Sequence, residues 1–243
     1  MGGRLRAPHR GLTLVAGRVV LITGASSGIG AATARAAATA GDLLVIAARS
    51  ADLLIALQDE LGGPDAILAV PCDVTDWDSQ QALAAEALAR FGRIDVAFAN
   101  AGFGAKRGFL EESPEHWREM ILTNVYGAAL TVRACVDALR ASRGHLLLTG
   151  SVAGHKVVPG SLYSCTKWAV SAMAEATRQE LDGSGVRVTQ ISPGTVETPF
   201  YDSPVGGEQL TAEDIARAVM FAIDQPPHVD VNDILVRPTV QSF

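Results

Sequence analysis

A glycine-rich turn between a buried strand and a helix is the feature of this sequence that most restricts its fold. Residues 19–23 form a continuous aliphatic and β-branched run, typical of a parallel strand covered on both faces. The turn at residues 24–30 has the spacing Gly-x-x-x-Gly-x-Gly, and residues 31–40 are rich in helix-forming alanine. Because glycines permit close backbone approach and a helix amino terminus offers unpaired N–H groups, this unit predicts a cradle for a pyrophosphate.

The remainder of the chain alternates between strand and helix patterns. After a strand at residues 43–48, the pattern predicts a helix at 51–61, a strand at 66–70, a helix at 76–90 and a strand at 94–99. Crossovers between parallel strands are right-handed, which makes a doubly wound sheet the economical topology. The sequence therefore predicts an α/β fold, a Rossmann-type doubly wound parallel sheet with helices on both faces.

A phenol and an amine lie four residues apart at Tyr163 and Lys167, so a helix projects both from one face. A phenol alone is a poor base at neutral pH because its reference pKa is about 10, but a nearby ammonium favours the phenolate. Lysine is scarce, since Lys106, Lys156 and Lys167 are the three lysines of the chain. The alternative is an ordinary helix pair with the tyrosine packed and the lysine solvated. Ser151 argues against that alternative, because it follows an apolar strand and open α/β sheets bind ligands where strands end.

Taken in order, these motifs resemble the short-chain dehydrogenases/reductases. The resemblance covers residues 17–243 and rests on residues 23–30, Asn100-Ala101-Gly102, Asn124, Ser151, Tyr163 with Lys167, and Pro193-Gly194. Ala99 is a mild departure, because relatives often have a second asparagine there. Residues 232–241 resemble the branch that contains 3-hydroxy acid, serine and clavaldehyde dehydrogenases. The family fold has about seven strands, as expected for a single doubly wound domain.

The resemblance implies a catalytic set of four residues. Tyr163 would be the general acid in carbonyl reduction and the general base in alcohol oxidation. Lys167 would lower the pKa of the phenol and hydrogen-bond the nicotinamide ribose. Ser151 would polarise and orient the carbonyl, and Asn124 would hold a water that relays protons.

The resemblance also implies which residues contact the cofactor. They are Gly24, Ser26, Ser27, Gly28, Ile29, Gly30, Arg49, Asp73, Val74, Asn100, Ala101, Gly102, Tyr163, Lys167, Pro193, Gly194, Val196 and Thr198. Asn100 has two expected roles, tying neighbouring strand ends together and touching the cofactor ribose.

The cofactor is expected to be NADP(H) in preference to NAD(H). A carboxylate at the end of the second strand would bind the ribose hydroxyls of NAD, but this chain has Arg49 there, and a planar guanidinium suits a 2′-phosphate. A solvated charge at a strand end is the alternative for Arg49. Asp73 also has an alternative, as the cap of a helix that starts near Thr75.

A long helix is predicted from Ser113, a capping residue followed by proline, to about residue 141. The resemblance implies that this helix and the Tyr163 helix pack against another subunit in a homodimer or homotetramer. Their apolar faces would otherwise pack on their own sheet. The loop at residues 200–210 is expected to be a short mobile lid before a helix that starts at Thr211. Candidate pocket residues are Phe103, His155 and Phe200, with His155 shaping the pocket and not transferring protons.

Composition limits the partners. A hydrophobic content of 48 % suffices for a core, and a net charge of −6 with a pI near 5.3 argues against nucleic acid. Three cysteines without metal-ligand spacing predict neither a disulfide framework nor a metal site. No apolar run approaches a membrane span. We expect no membrane partner and a cytoplasmic protein with a flexible basic leader at residues 1–16 and one domain at residues 17–243.

The expected activity is NADP(H)-dependent hydride transfer between a carbonyl and an alcohol, with reduction as the favoured direction. The substrate is expected to be a small aldehyde, ketone or β-hydroxy acid. A β-ketoacyl carrier-protein reductase is the second candidate, disfavoured because the chain lacks the Gly-Gly ending common in those enzymes. A non-catalytic NADP-sensing regulatory protein is a third, since fold does not fix function. The presence of Ser151, Tyr163 and Lys167 argues against this third candidate.

Overall fold

The computed structural model describes residues 17–104, 108–158, 161–198 and 207–241. The expected leader at residues 1–16, the candidate pocket residue Phe200 and most of the expected lid lie outside these ranges. The strands are β1 Val19–Thr23, β2 Leu43–Ala48, β3 Ile67–Pro71, β4 Val96–Ala99, β5 His145–Thr149, β6 Arg187–Pro193 and β7 Asp233–Val236. The helices are α1 Gly28–Thr39, α2 Ala51–Glu60, α3 Trp77–Phe91, α4 Pro114–Ile121, α5 Ala128–Ser142, α6 Leu162–Glu180 and α7 Ala212–Ile223.

The seven strands form one sheet in the order β3-β2-β1-β4-β5-β6-β7, and every neighbouring pair is parallel. The direction of winding reverses between β1 and β4. A crevice opens beyond the carboxyl ends of the strands at such a reversal, and this is where ligands bind in doubly wound sheets. The predicted Rossmann-type fold is confirmed.

Two apolar layers hold the helices to opposite faces of the sheet. In β1, Val19 and Leu21 face the layer that contains α3, α5 and α6, whereas Val20 and Ile22 face the layer that contains α1, α2 and α7. This alternation follows from the two-residue period of a strand. Because both faces are covered, the strand is apolar throughout, as the continuous run in the sequence indicates.

The long helix predicted from Ser113 to about residue 141 is present from Pro114 to Ser142, but its middle is not α-helical. Ser113 caps α4 by accepting a hydrogen bond from the His116 N–H at 3.1 Å, as predicted. Between α4 and α5 the backbone forms a π-helical segment, Leu122–Gly127, which contains Asn124. Segments of this kind are rare and occur frequently at functional sites, because the extra residue per turn redirects a side chain.

Candidate active site

Glycines shape the turn between β1 and α1. Gly24 and Gly28 have φ angles of 66° and 52°, in the left-handed region that favours glycine. A Cβ on Gly24 would lie 2.8 Å from the Cα of Ala101, and one on Gly30 would collide with the Gly24 carbonyl oxygen. Close backbone packing therefore requires glycine at these positions, as in the predicted phosphate cradle.

The amino terminus of α1 faces this turn. Ser27 precedes the helix in an extended conformation, its side chain makes no capping hydrogen bond, and the first helical turn contains no acidic residue. The first N–H groups of a helix lack intrahelical partners and carry the positive end of the helix dipole. The side chain of Thr198 lies next to the turn, with its Cγ2 3.2 Å from where a Cβ on Gly28 would stand. These donors and the bare glycine backbone fit a pyrophosphate.

Asn100 connects the ends of three strands. Its Nδ2 donates to the carbonyl oxygens of Thr23 at 3.1 Å and Gly24 at 3.3 Å, and its Oδ1 accepts from Thr149 Oγ1 at 3.1 Å. The strands β1, β4 and β5 are thereby held together at the crevice. The first of its two expected roles, tying strand ends, is confirmed.

The end of β2 presents basic and hydroxyl groups. Arg49 is exposed, and Ser50, which precedes α2, makes no capping hydrogen bond through its side chain. A guanidinium and a hydroxyl are therefore adjacent where a carboxylate would be needed to bind the ribose hydroxyls of NAD.

Asp73 does not cap α3, so that alternative is wrong. The N-cap is Asp76, whose carboxylate accepts from the Ser79 N–H at 2.9 Å. Asp73 accepts instead from the N–H and the hydroxyl of Thr75, at 2.9 and 2.8 Å. It is exposed after β3, whereas its neighbour Val74 is buried, and the expected contact of both residues with the cofactor stays a prediction.

Ser151 follows β5 and is buried, with 7 % of its surface exposed. It precedes a 3₁₀ turn, Val152–Gly154, and its Oγ accepts from the Ala153 N–H at 3.1 Å. The same hydroxyl lies 3.5 Å from the Pro193 carbonyl oxygen at the end of β6. The turn and β6 together fix the hydroxyl at the crevice.

Tyr163 and Lys167 lie one turn apart near the start of α6, which Ser161 caps by accepting from the Ser164 N–H at 3.3 Å. The ammonium of Lys167 is 5.6 Å from the centroid of the Tyr163 ring and donates to the Thr149 carbonyl oxygen at 2.8 Å. Lys167 is only 4 % exposed, and burial lowers its pKa from 10.5 to about 8. The alternative of a solvated lysine is therefore wrong.

Asn124 lies in the π-helical segment and hydrogen-bonds the backbone of the loop after β4. Its Oδ1 accepts from the Phe103 N–H at 3.0 Å, and its Nδ2 donates to the Phe103 carbonyl oxygen at 2.9 Å. A Cβ on Gly102 would stand 3.0 Å from Asn124 Oδ1 and 3.8 Å from Lys167 Nζ. Asn124, Gly102 and Lys167 therefore meet, although they are distant in sequence.

The chain beyond β6 is held by the carboxyl-terminal segment. The Gly194 N–H donates to the Val236 carbonyl oxygen at 2.7 Å, continuing the β6–β7 ladder. The Thr195 N–H donates to the side-chain Oε1 of Gln241 at 3.0 Å. Sequence reasoning missed Gln241, because a contact across 46 residues leaves no local pattern.

Val196 forms an isolated parallel bridge with Leu210. The Leu210 N–H donates to the Thr195 carbonyl oxygen at 3.0 Å, and the Glu197 N–H donates to the Leu210 carbonyl oxygen at 2.8 Å. In such a bridge the N–H and carbonyl of the paired residue, here Val196, point away from Leu210. Pro193 contacts Ser151, and Thr198 contacts the glycine turn. The segment at residues 193–198 therefore spans the crevice.

His155 lies in a polar cluster beside β7. Its Nε2 is 3.0 Å from Ser192 Oγ and 3.1 Å from a carboxylate oxygen of Asp233. His155 and Asp233 line a cavity of about 330 Å³ beside α6, and the lining of this cavity includes neither Ser151 nor Tyr163. His155 thus borders a cavity separate from Ser151 and Tyr163, whereas Phe103 lies at the crevice through its contact with Asn124.

Within the four described ranges, no three histidine, cysteine or acidic side chains are grouped in a way that could hold a metal ion. No helix in the same part of the chain has the length and apolarity needed to cross a membrane.

Comparison with known proteins agrees with this geometry. A family model described as short chain dehydrogenase matches residues 18–205. An uncharacterised oxidoreductase of Staphylococcus haemolyticus is 38 % identical over 231 residues, which cover 93 % of this chain and 100 % of the relative. Among solved structures, an alcohol dehydrogenase from the archaeon Thermococcus sibiricus, complexed with 5-hydroxy-NADP, is 35 % identical with a TM-score of 0.86, covering 92 % of this chain and 97 % of that one. The closed form of a serine dehydrogenase complexed with NADP+ is 31 % identical with a TM-score of 0.85, covering 93 % and 96 %.

Proposed function

The chain belongs to the short-chain dehydrogenase family of oxidoreductases, and we propose that it is an NADP(H)-dependent enzyme that interconverts a carbonyl compound and an alcohol. The observation that carries this proposal is the buried ammonium of Lys167, 5.6 Å from the ring of Tyr163 and next to the loop after β4. Burying a charge is costly, and a catalytic role for the adjacent phenol explains why a lysine occupies this position.

In the reductive direction, the substrate carbonyl oxygen accepts hydrogen bonds from the hydroxyls of Ser151 and Tyr163. Tyr163 donates its proton as negative charge develops on that oxygen. Lys167 stabilises the phenolate that remains, and its ammonium would hydrogen-bond the ribose of a bound nicotinamide cofactor. Asn124 fixes the turn at Phe103, and we assign to it the holding of a relay water. When bound, the nicotinamide provides or accepts the hydride.

We further propose that NADP(H) is preferred. Arg49 supports this preference because a guanidinium binds a 2′-phosphate well and the carboxylate suited to the NAD ribose is missing. The Thermococcus sibiricus enzyme and the serine dehydrogenase are complexes with 5-hydroxy-NADP and NADP+, respectively. Replacing Arg49 by alanine should raise the KM for NADPH roughly tenfold, the loss of one charge-assisted hydrogen-bond set, and leave the KM for NADH nearly unchanged. Equal effects on both cofactors would show that Arg49 does not select the phosphate.

The reaction itself is tested by following NADPH and NADH consumption across small aldehydes, ketones and β-keto esters. Turnover should favour NADPH, and Tyr163→Phe should lower kcat/KM by about 10²- to 10⁴-fold, the usual contribution of general acid catalysis. The variant should still bind NADPH, which fluorescence titration measures. Wild-type protein that binds NADPH yet reduces none of these carbonyls would point to the nucleotide-sensing alternative.

A further inference from the structure

The carboxyl-terminal turn at residues 237–241 lies against the segment that spans the crevice. The Gln241 N–H donates to the Pro238 carbonyl oxygen at 3.0 Å, which closes the turn. The Gln241 side chain then reaches back, and its Oε1 accepts from the Thr195 N–H at 3.0 Å. The fit is tight, because a Cβ on Gly194 would collide with the same Oε1 atom.

This contact fixes a peptide plane at the crevice. The Thr195 N–H belongs to the peptide that joins Gly194 to Thr195, and the Thr195 carbonyl is fixed separately by Leu210. The Val196 N–H shares a peptide plane with the Thr195 carbonyl, so the bond to Leu210 directs this N–H away from Leu210, and Gln241 holds the preceding peptide. A backbone donor that is fixed before a ligand arrives costs less entropy on binding.

We propose that Gln241 is a positioning residue, which orients the backbone from Gly194 to Val196 so that this segment can bind the nicotinamide end of the cofactor. The inference rests on the proposed function and adds to it a residue for which the sequence predicted no role of its own. Gln241 acts through the Thr195 peptide and is not itself a catalytic residue. The carboxyl-terminal turn thereby becomes part of the cofactor site.

The chain offers a control in the same turn. Val240 precedes Gln241 and is 63 % exposed, so Val240→Ala changes the turn without removing the acceptor. Two substitutions at Gln241 separate hydrogen bonding from packing. Gln241→Met keeps the length of the side chain but removes the carbonyl acceptor, whereas Gln241→Glu keeps an acceptor oxygen.

The first measurement is backbone amide hydrogen exchange in cofactor-free protein, followed residue by residue. Gln241→Met should speed exchange at Thr195 and Val196 roughly three- to tenfold, because one partly buried hydrogen bond is lost. Gln241→Glu and Val240→Ala should exchange within about twofold of wild type. Unchanged exchange at Thr195 in Gln241→Met would overturn the proposal whatever the enzyme does.

The second measurement is NADPH affinity by fluorescence titration, together with kcat and KM. We expect Gln241→Met to raise the Kd for NADPH roughly three- to tenfold, with Gln241→Glu restoring it and Val240→Ala unchanged. Faster exchange with unchanged NADPH affinity would overturn the role in cofactor binding. If wild-type protein binds neither NADPH nor NADH, the proposed function fails, while the exchange data alone still decide whether Gln241 orients this backbone.

Discussion

The amino edge of the sheet, where the strands begin, and the carboxyl edge, where they end, differ in how buried charges are stabilised. At the amino edge, where the strands begin, Arg18 pairs with the buried Asp42 at 2.9 Å, and Arg93 pairs with the buried Asp95. At the carboxyl edge, where the strands end, the ammonium of Lys167 is buried and bonded to the neutral carbonyl of Thr149.

This difference between an ion-paired charge and one with a neutral partner determines how much each charge costs the fold. A buried charge that is paired and fully hydrogen-bonded loses little on folding, whereas one that has only a neutral acceptor loses much of its hydration. The amino edge therefore serves structure. At the carboxyl edge, the burial of the Lys167 ammonium destabilises the fold, and we attribute its presence to the chemistry proposed for Tyr163. Residues that serve activity at the expense of stability are expected at active sites.

The largest effect is expected from Lys167→Met, which removes the buried charge from the carboxyl edge. Activity should fall by roughly 100-fold or more, since the phenolate loses its ammonium neighbour. The cofactor-free protein should nevertheless become more stable by about 2 kcal/mol, the penalty of about 3 kcal/mol for a pKa shift from 10.5 to about 8 less one hydrogen bond. Activity assays and chemical denaturation measure the two effects.

The pH dependence supplies the control for this prediction. Because the pKa of Lys167 is depressed in the folded state, the penalty is complete below pH 8 and fades as pH rises from about 8 to 10.5. The stability gain of Lys167→Met should therefore shrink over that interval. If Lys167→Met is less stable than wild type at pH 7, burial of the Lys167 ammonium does not destabilise the folded protein.

The next effect is expected from Asp95→Ala at the amino edge. Asp95 is 7 % exposed, accepts from the buried Val19 N–H at 2.8 Å and pairs with Arg93. Its removal leaves that N–H unpaired and should cost about 3 kcal/mol of unfolding free energy. The activity of the folded fraction should be unchanged, because the opposite edge holds the site.

Asp224→Ala is the matched control for Asp95→Ala. Asp224 also pairs with an arginine at the amino edge, Arg18 at 2.7 Å, but it is 56 % exposed and Arg18 retains Asp42. Its loss should cost less than about 1 kcal/mol. Similar costs for the two variants would mean that burial does not distinguish the charges of this edge.

Features that depend on a short stretch of sequence could be predicted, and features that depend on contacts between distant residues could not. The strands at residues 19–23 and 43–48 have the predicted bounds, because continuous apolar runs and glycine turns are local signals. The cap of α3 was harder to predict, since Asp73 and Asp76 both precede the helix and only its actual starting residue selects Asp76.

The parts that sequence reasoning missed depend on geometry without a local pattern. The π-helical segment at Asn124 disturbs the helical period by only one residue, which apolar spacing cannot reveal. The contact of Gln241 with Thr195 joins two segments that meet only after β6 and β7 pair. The motifs therefore sufficed to pick out side chains that meet at the crevice, whereas the contacts that hold the backbone there could not be predicted from them.

An effect smaller than that of Asp95→Ala is expected from pH at His145, a buried side chain of the amino edge. Burial, and then the charges of Arg187 and Arg18, lower its pKa from 6.5 to about 3. Its Nε2 lies 2.7 Å from Thr189 Oγ1, and its Nδ1 is buried without a partner among the described residues. The folded protein thus holds a neutral imidazole that the unfolded chain would protonate below pH 6.5.

Because the depressed pKa belongs to the folded state, stability from this group is complete above pH 6.5 and is lost as pH falls toward 3. At pH 5 the loss should be about 2 kcal/mol, 1.5 units at about 1.4 kcal/mol each. His145→Gln should remove this acid sensitivity, even if its free energy of unfolding at pH 7 differs from that of wild type. His228→Gln, a substitution at an exposed histidine, should retain it. Denaturation curves at pH 7, 6 and 5 measure the slopes. Equal slopes for wild type and His145→Gln would mean that the imidazole is not held neutral, and that the amino edge tolerates an added charge as the carboxyl edge tolerates Lys167.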